Sequence, residues 1–351
     1  MAYTDIDKSD DYFNTVLYTG NGSTQAITGV GFQPDWVWIK NRTSAEASGV
    51  FDTVRGVTKM LSSQNTDGES TDANSLTAFG SDGFSVGSNL RVNQSSNNIV
   101  SWNWLGSNTT AANTDGSISS TVSANTTSGF SIVSYTGNGT AGATVGHGLG
   151  ATPSMIIIKN RIDSLASFWC VYHKSSFVSQ SDPGVLYLND AGARSADTNV
   201  FGNTTVTINS DVFSLGDYNG SNGSGDTQIA YCFAEKQGYS KFGSYTGNGS
   251  TDGTFVYTGF KPAFLIAKKS STTSSWGIFD NKRNPYNVMD LRLLANTNGA
   301  DDQSSDNNID FLSNGFKFRS SAGWNASATY IYMAFAENPF VTSTGVPATA
   351  R

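Results

Sequence analysis

The chain is short of charge, glutamate, histidine, cysteine and long apolar runs, and each shortage closes off a class of protein. Lys, Arg, Asp and Glu make up 14% of its 351 residues, against about 25% in an average soluble protein. Only four acidic residues, Glu46, Glu69, Glu235 and Glu337, are Glu. The Asp, Asn, Ser, Thr and Gly that fill the space compete with helical hydrogen bonds in turns and caps, so helix is poorly supported. A net charge of -7 without a Lys/Arg cluster excludes the concentrated basic face that phosphate backbones demand; nucleic acid is not an expected partner. No stretch approaches the roughly 20 apolar residues of a membrane span, so no membrane insertion is expected. The opening Met1-Ala2-Tyr3-Thr4-Asp5-Ile6-Asp7 has neither the basic start nor the apolar core of a signal peptide, which leads to the expectation of a protein made in a cytosol.

Scarcity also limits the chemistry. Two histidines, His147 and His173, are too few and too isolated for most His-based mechanisms. Cys170 and Cys232 read as small buried thiols; a scaffold that needed bridges would repeat them along the chain. With no helix to open, no phosphate loop is expected. No catalytic residue, cofactor or metal is assigned, and the chain is expected not to be an enzyme.

What is abundant is repetition. Tyr18-Thr19-Gly20-Asn21-Gly22 recurs as Tyr135-Thr136-Gly137-Asn138-Gly139 and Tyr245-Thr246-Gly247-Asn248-Gly249. Spacings above 100 residues mark repeated domains rather than solenoid turns of about 20 to 50. Each pentapeptide, read as a hairpin turn with positive φ at Asn and Gly, is followed by an apolar run: Trp36-Val37-Trp38-Ile39-Lys40-Asn41-Arg42, Met155-Ile156-Ile157-Ile158-Lys159-Asn160-Arg161 and Phe264-Leu265-Ile266-Ala267-Lys268-Lys269. Aromatic strands ending at Asp52, His173 and Asp280 come next, then Asp-x-Asn loops at Asp72/Asn74, Asp197/Asn199 and Asp306/Asn308. A closing strand completes each copy, around Trp102-Asn103-Trp104, Tyr231-Cys232-Phe233 and Met333-Ala334-Phe335. Short β-branched and aromatic segments bounded by Asn-Gly, Asp-Gly or Pro turns predict strands. The fold class is therefore all-β, with a lead at 1–11, β-sandwich repeats at 12–127, 128–238 and 239–340, and a tail at 341–351.

The polar features have competing readings. Asp52 and Asp280, each three residues before an arginine (Arg55, Arg283), are expected to form surface or edge ion pairs holding turns. The Asp-x-Asn loops read as Asx turns, although Asp301, Asp302 and Asp306 enrich the third copy with the oxygens that Ca²⁺ takes. Paired tryptophans such as Trp36/Trp38 and Trp102/Trp104 share one strand face and read as core. Trp324, inside a loop, reads as the tryptophan most open to a ligand. Loops on rigid scaffolds carry recognition, which makes Asp217, Tyr218, Asn219, Asn222, Asp301, Asp302 and Trp324 the candidate receptor-contact residues.

The opening Met1 to Asp7 with Tyr12-Phe13, the Tyr-Thr-Gly-Asn-Gly start, Pro34-Asp35-Trp36-Val37-Trp38-Ile39-Lys40-Asn41-Arg42 and Ala334-Phe335-Ala336-Glu337-Asn338-Pro339-Phe340 together resemble repeat-containing structural proteins of tailed bacteriophages of aquatic bacteria. The resemblance implies a virion component, a tail fibre or tail or head surface protein, built from jelly-roll or lectin-like sandwiches and carrying no catalytic residues. Host attachment as a homo-oligomer follows, with other virion proteins and a host-surface glycan or protein receptor as partners. Head decoration and a glycan-degrading tail enzyme are the alternatives.

Overall fold

The structure, a computed structural model, describes residues 4–162 and 167–338. Strands hold 41% of residues and helix 5%, so the fold is all-β as the composition demanded. Phe13–Thr19, Asn98–Trp104, Trp36–Asn41 and Gly49–Asp52 lie side by side in that order, all antiparallel. The same order recurs in Phe130–Thr136, Thr227–Phe233, Met155–Asn160 and Cys170–His173, and again in Ser240–Thr246, Thr329–Ala336, Pro262–Lys269 and Trp276–Asp280. Each opening strand therefore pairs with its copy's closing strand, about 80 to 100 residues away. The pentapeptide that ends it leads across to a smaller sheet rather than back along a hairpin. Those small sheets are Gln25–Thr28 with Gly83–Val86 and Leu76–Gly80, Thr144–Gly146 with Val212–Ser214, and Phe255–Tyr257 with Gly315–Phe318 and Ile309–Leu312.

Large and small sheets enclose a separate core in each copy: Val37, Ile39, Phe51 and Phe84 in the first, Val133, Ile156, Ile158 and Phe213 in the second, Leu265, Phe279, Phe316 and Trp324 in the third. The opposite faces of the three large sheets meet in one shared core of Trp36, Trp38, Trp102, Trp104, Ile157, Tyr231, Phe233, Phe264, Ile266 and Phe335. Trp36 stacks on Tyr231 with ring centroids 4.5 Å apart, and Phe13 on Phe335 at 5.1 Å. Because side chains alternate along a strand, Trp36 and Trp38 enter the shared core while Val37 and Ile39 enter the copy's own. This explains why Trp36–Asn41 is buried at every position. Burial on both faces also favours near-continuous apolar runs over alternation, as Met155–Asn160 displays.

The units expected to stand side by side are thus interlocked around a common centre. Ala111–Asn113 and Ser120–Asn125 add to the second copy's sheet, through pairing of Ser120–Asn125 with Phe130–Thr136. The boundary expected at 127 falls inside that hairpin. The tail at 341–351, and the Met1-Ala2-Tyr3 and Pro339-Phe340 of the phage-like motifs, lie outside the described residues.

Candidate functional site

The recurrent pentapeptide is a latch. In each copy the tyrosine hydroxyl donates to the carbonyl just before a buried asparagine: Tyr18 to Val92, Tyr135 to Ser221 and Tyr245 to Trp324, at 2.6, 2.7 and 2.8 Å. That asparagine, Asn93, Asn222 or Asn325, accepts at Oδ1 from the backbone N–H of Asn21, Asn138 or Asn248. Its Nδ2 donates to loop carbonyls, Gly216 at 2.7 Å and Thr140 at 3.0 Å in the second copy. The first glycine of the motif is required by closeness, since a Cβ on Gly137 would lie 2.4 Å from the Gly223 carbonyl oxygen. The second is required by conformation, with φ of 69°, 67° and 65° at Gly22, Gly139 and Gly249. The pentapeptide asparagines are not in the left-handed region that the hairpin reading asked of them. They are held by the partner asparagine instead.

The apolar run that ends in lysine builds the seams between copies, and these close a ring. From second copy to first, Lys159 Nζ donates to the Thr66 carbonyl at 3.0 Å, Trp169 Nε1 to Ser62 O at 3.0 Å, and Tyr231 Oη to Asp52 Oδ2 at 2.7 Å. From first to third, Lys40 Nζ donates to Thr297 O at 2.7 Å, Ser63 Oγ to Ala295 O at 2.7 Å, and Trp102 Nε1 to Asp280 Oδ2 at 3.1 Å. From third to second, Lys268 Nζ donates to Gly192 O at 2.8 Å and Trp276 Nε1 to Tyr187 O at 2.9 Å. His173, in the place of Asp52 and Asp280, reverses direction: its Nε2 lies 3.1 Å from the Tyr332 carbonyl oxygen, so Nε2–H is the donor. Met333 aligns with Trp102 and Tyr231 and has no donor to offer a carboxylate, so a neutral imidazole takes the aspartate's place.

At two seams the arginine two residues beyond the lysine makes an ion pair across to the neighbouring copy. Arg161 Nε meets Glu69 at 2.9 Å, and Arg42 Nε meets Asp301 at 2.7 Å; at the third seam the corresponding residue is Ser270, whose carbonyl accepts from Arg194 N at 2.9 Å. Asp52–Arg55 and Asp280–Arg283, expected as surface or edge ion pairs, have wholly buried side chains, with Nε to Oδ2 distances of 2.5 and 2.6 Å. Burial stops them acting on an external substrate. Desolvation draws Lys40 down to about 7 and Lys268 to about 8, and draws His173 down to about 4. The thiols of Cys170 and Cys232 are buried and unbridged, and burial pushes both up.

The candidate contact residues separate. Asp217 and Asn219 are exposed and Tyr218 is half-buried, on a loop where Asn203 Nδ2 donates to Asp217 at 3.2 Å. Asn222 is fully buried in the latch. Asp301 holds Arg42 and Arg283 and belongs to a seam. Asp302 pairs with Arg292 and also accepts from Asn307. Trp324 is 3% exposed; it packs against Gly277, where a Cβ would lie 2.6 Å from the indole, and donates Nε1–H to Ala267 O at 3.1 Å. It is core, because glycine at 277 opens the space the indole fills. Asx turns form at Asp72 and Asp197, which accept from Asn74 N and Asn199 N at 2.7 and 3.0 Å. In the third copy Ser304 Oγ accepts from Asp306 N instead. Among the described residues no cluster of three or more His, Cys, Asp or Glu is placed to hold a metal ion, and no helix is long and apolar enough to cross a membrane.

Two clefts lie between copies. One of about 140 Å³ between the first and third copies is lined by Asp10, Asn14, Thr15, Asn281, Lys282 and Glu337. A more open one of about 410 Å³ lies at the second–third seam beside Asp182, Arg194 and Ser271. The residues that sequence reasoning missed are the seam formers Lys40, Lys159, Lys268, Glu69 and Arg161; a lysine closing every apolar run was the signal, since a charge at a recurrent buried position needs a recurrent partner.

Latches and seams make an all-β body whose recurrent polar groups bond inward. The chain belongs to the family described as Domain of unknown function (DUF7483), whose model matches residues 8–339 and so spans all three copies. No curated protein matches it.

Proposed function

We propose that the chain is a non-enzymatic structural and attachment component of a phage-like particle, a tail fibre or tail surface protein working as a homo-oligomer among other virion proteins. The observation that carries this reading is the closed ring. Lys40, Lys159, Lys268, Asp52 and Asp280 all bond across seams, so the chemistry the copies share serves rigidity. The surface loops are free to differ, as Asp217-Tyr218-Asn219 does from its counterparts. Such a division suits a rigid scaffold presenting recognition loops, and the resemblance to phage structural proteins supports it.

The test is incubation of the purified chain with intact host cells and with their surface polysaccharide, measuring cell-bound protein and released saccharides. Binding with the polysaccharide left uncut is the expected result; shortened saccharides would move the protein to the enzymes. Rigidity favours a second reading, head decoration, which predicts no cell binding and loss of particle stability when the gene is deleted.

A further inference from the structure

The outer face of the third copy's small sheet differs from its two counterparts. Phe255 and Tyr257 flank Val256, which points into the core at 6% exposure, and are themselves 44% and 59% exposed. The first copy places Ala26 and Thr28 around buried Ile27, and the second places Thr144 and Gly146 around Val145. Only small side chains stand at those positions, so the two rings are not part of the shared scaffold. Phe255 is held in place: a Cβ on Gly315 would lie 2.9 Å from its ring carbons, so the ring packs over a glycine, which opens the room for it. Tyr257 pairs directly with Gly315 and Phe255 with Lys317, so all four share one face.

Fixed polar groups border the rings. Lys317 Nζ lies 2.5 Å from the Asp252 carboxylate, whose side chain is 80% exposed, and Arg319 reaches both Asp252 at 3.3 Å and Asp310 at 2.6 Å. Asp310 stands on the outer face of the adjoining strand, opposite Lys317. It is 5% exposed, and its Oδ1 has no hydrogen-bond partner. Asp310 holds the Arg319 guanidinium in place from below, and its own buried Oδ1 presents no surface to an external ligand.

We propose that this face is a saccharide-binding site, with Phe255 and Tyr257 as stacking platforms and Asp252, Lys317 and Arg319 as partners of the hydroxyl rim. A pyranose presents an apolar face of C–H bonds, drawn to the negative face of an aromatic ring, and an edge of hydroxyls that both donate and accept. Residues two apart on a strand stand ~7 Å apart, on the scale of one sugar ring, so two rings suit neighbouring residues of one oligosaccharide. Paired and mutually fixed charges lose little freedom when a hydroxyl joins them.

This inference deepens the attachment reading by naming its ligand class. The full chain is examined by saturation-transfer NMR against a panel of hexose and amino-sugar oligosaccharides, alongside F255A and Y257A. Both replacements are at exposed positions, so their melting temperatures are expected to match the wild type. The wild type is expected to bind at least one oligosaccharide, with each substitution weakening it about tenfold and D252N weakening it less. Unchanged affinity in both ring variants overturns the proposal, as does the absence of any oligosaccharide signal from the wild type at millimolar ligand. Host-cell binding separates the two failures. If the wild type and the F255A/Y257A double variant bind cells equally, this site falls and attachment stands; if the wild type binds no cells while the oligosaccharide result holds, attachment falls and the site stands. Cell binding that is abolished by protease treatment of the cells and unaffected by oligosaccharide assigns the face to a protein partner and also overturns it.

Discussion

Trp38 and Phe335 belong to the shared core, 0% and 1% exposed; Trp38 packs on Trp36 and Trp102, and Phe335 meets Phe13, Trp104 and Phe233 of the other two copies. Replacing either with Ala removes a large side chain from a close-packed interior, and a loss of about 3 to 5 kcal/mol is expected in chemical denaturation. Wild-type stability in either variant would show that the centre is not packed. His173 carries a different prediction. Burial draws its imidazole down to about 4 from the usual 6.5, so between those values the unfolded chain takes a proton that the folded chain refuses. Its contribution is complete above pH 6.5 and is lost as pH falls toward 4, amounting to on the order of 3 kcal/mol. Unfolding followed from pH 7 to pH 4 should be steeper for the wild type than for His173→Gln, which keeps a donor toward the Tyr332 carbonyl; equal slopes would mean that His173 does not titrate in this window.

Single elements are held by the latch. Asn222→Ala leaves the Asn138 N–H, the Gly216 carbonyl and the Thr140 carbonyl without their present partner, and buried unmet groups cost about 1 to 3 kcal/mol each. A loss of about 3 kcal/mol is expected in urea denaturation, with amide exchange faster around 137–140 than in the central strand 155–160. Gly137→Ala should be at least as damaging, because the added Cβ meets backbone rather than a movable side chain. Retention of full stability by Asn222→Ala would remove the latch as an explanation of the repeated pentapeptide.

The whole molecule depends on ring closure. A single copy, such as 111–238, carries Trp169, Tyr231 and Phe233 on the face that the other two copies cover. Expressed alone it should bind a hydrophobic dye and resist concentration, whereas the full chain should do neither; a soluble, cooperatively folded single copy would show the copies to be independent. Salt should matter little to the intact ring. The seam pairs Arg161–Glu69 and Arg42–Asp301 have side chains at most 19% exposed, and largely buried pairs are weakly screened.

The strands and their threefold order were legible because periodicity, turn residues and β-branched content are local properties, written residue by residue into Trp36–Lys40 and its two counterparts. The role of lysine at the end of each run was visible as recurrence but not as contact. Its acceptors, the carbonyls of Thr297, Thr66 and Gly192, lie in the related stretches Asn296-Thr297-Asn298-Gly299, Asn65-Thr66-Asp67-Gly68 and Asn189-Asp190-Ala191-Gly192, but a backbone carbonyl is the same in every residue type and no side-chain pattern marks it as an acceptor. Trp324 illustrates the limit from the other side: a tryptophan among Ser, Gly and Asn reads as exposed, and only the glycine at 277, 47 positions away in sequence, makes room to bury it. Composition and pattern by themselves determined that this chain is all-β and that one order of motifs recurs three times along it. Tertiary structure alone decided that the copies share one core and close into a ring, because a strand's alternation states which residues leave each face without stating what covers them.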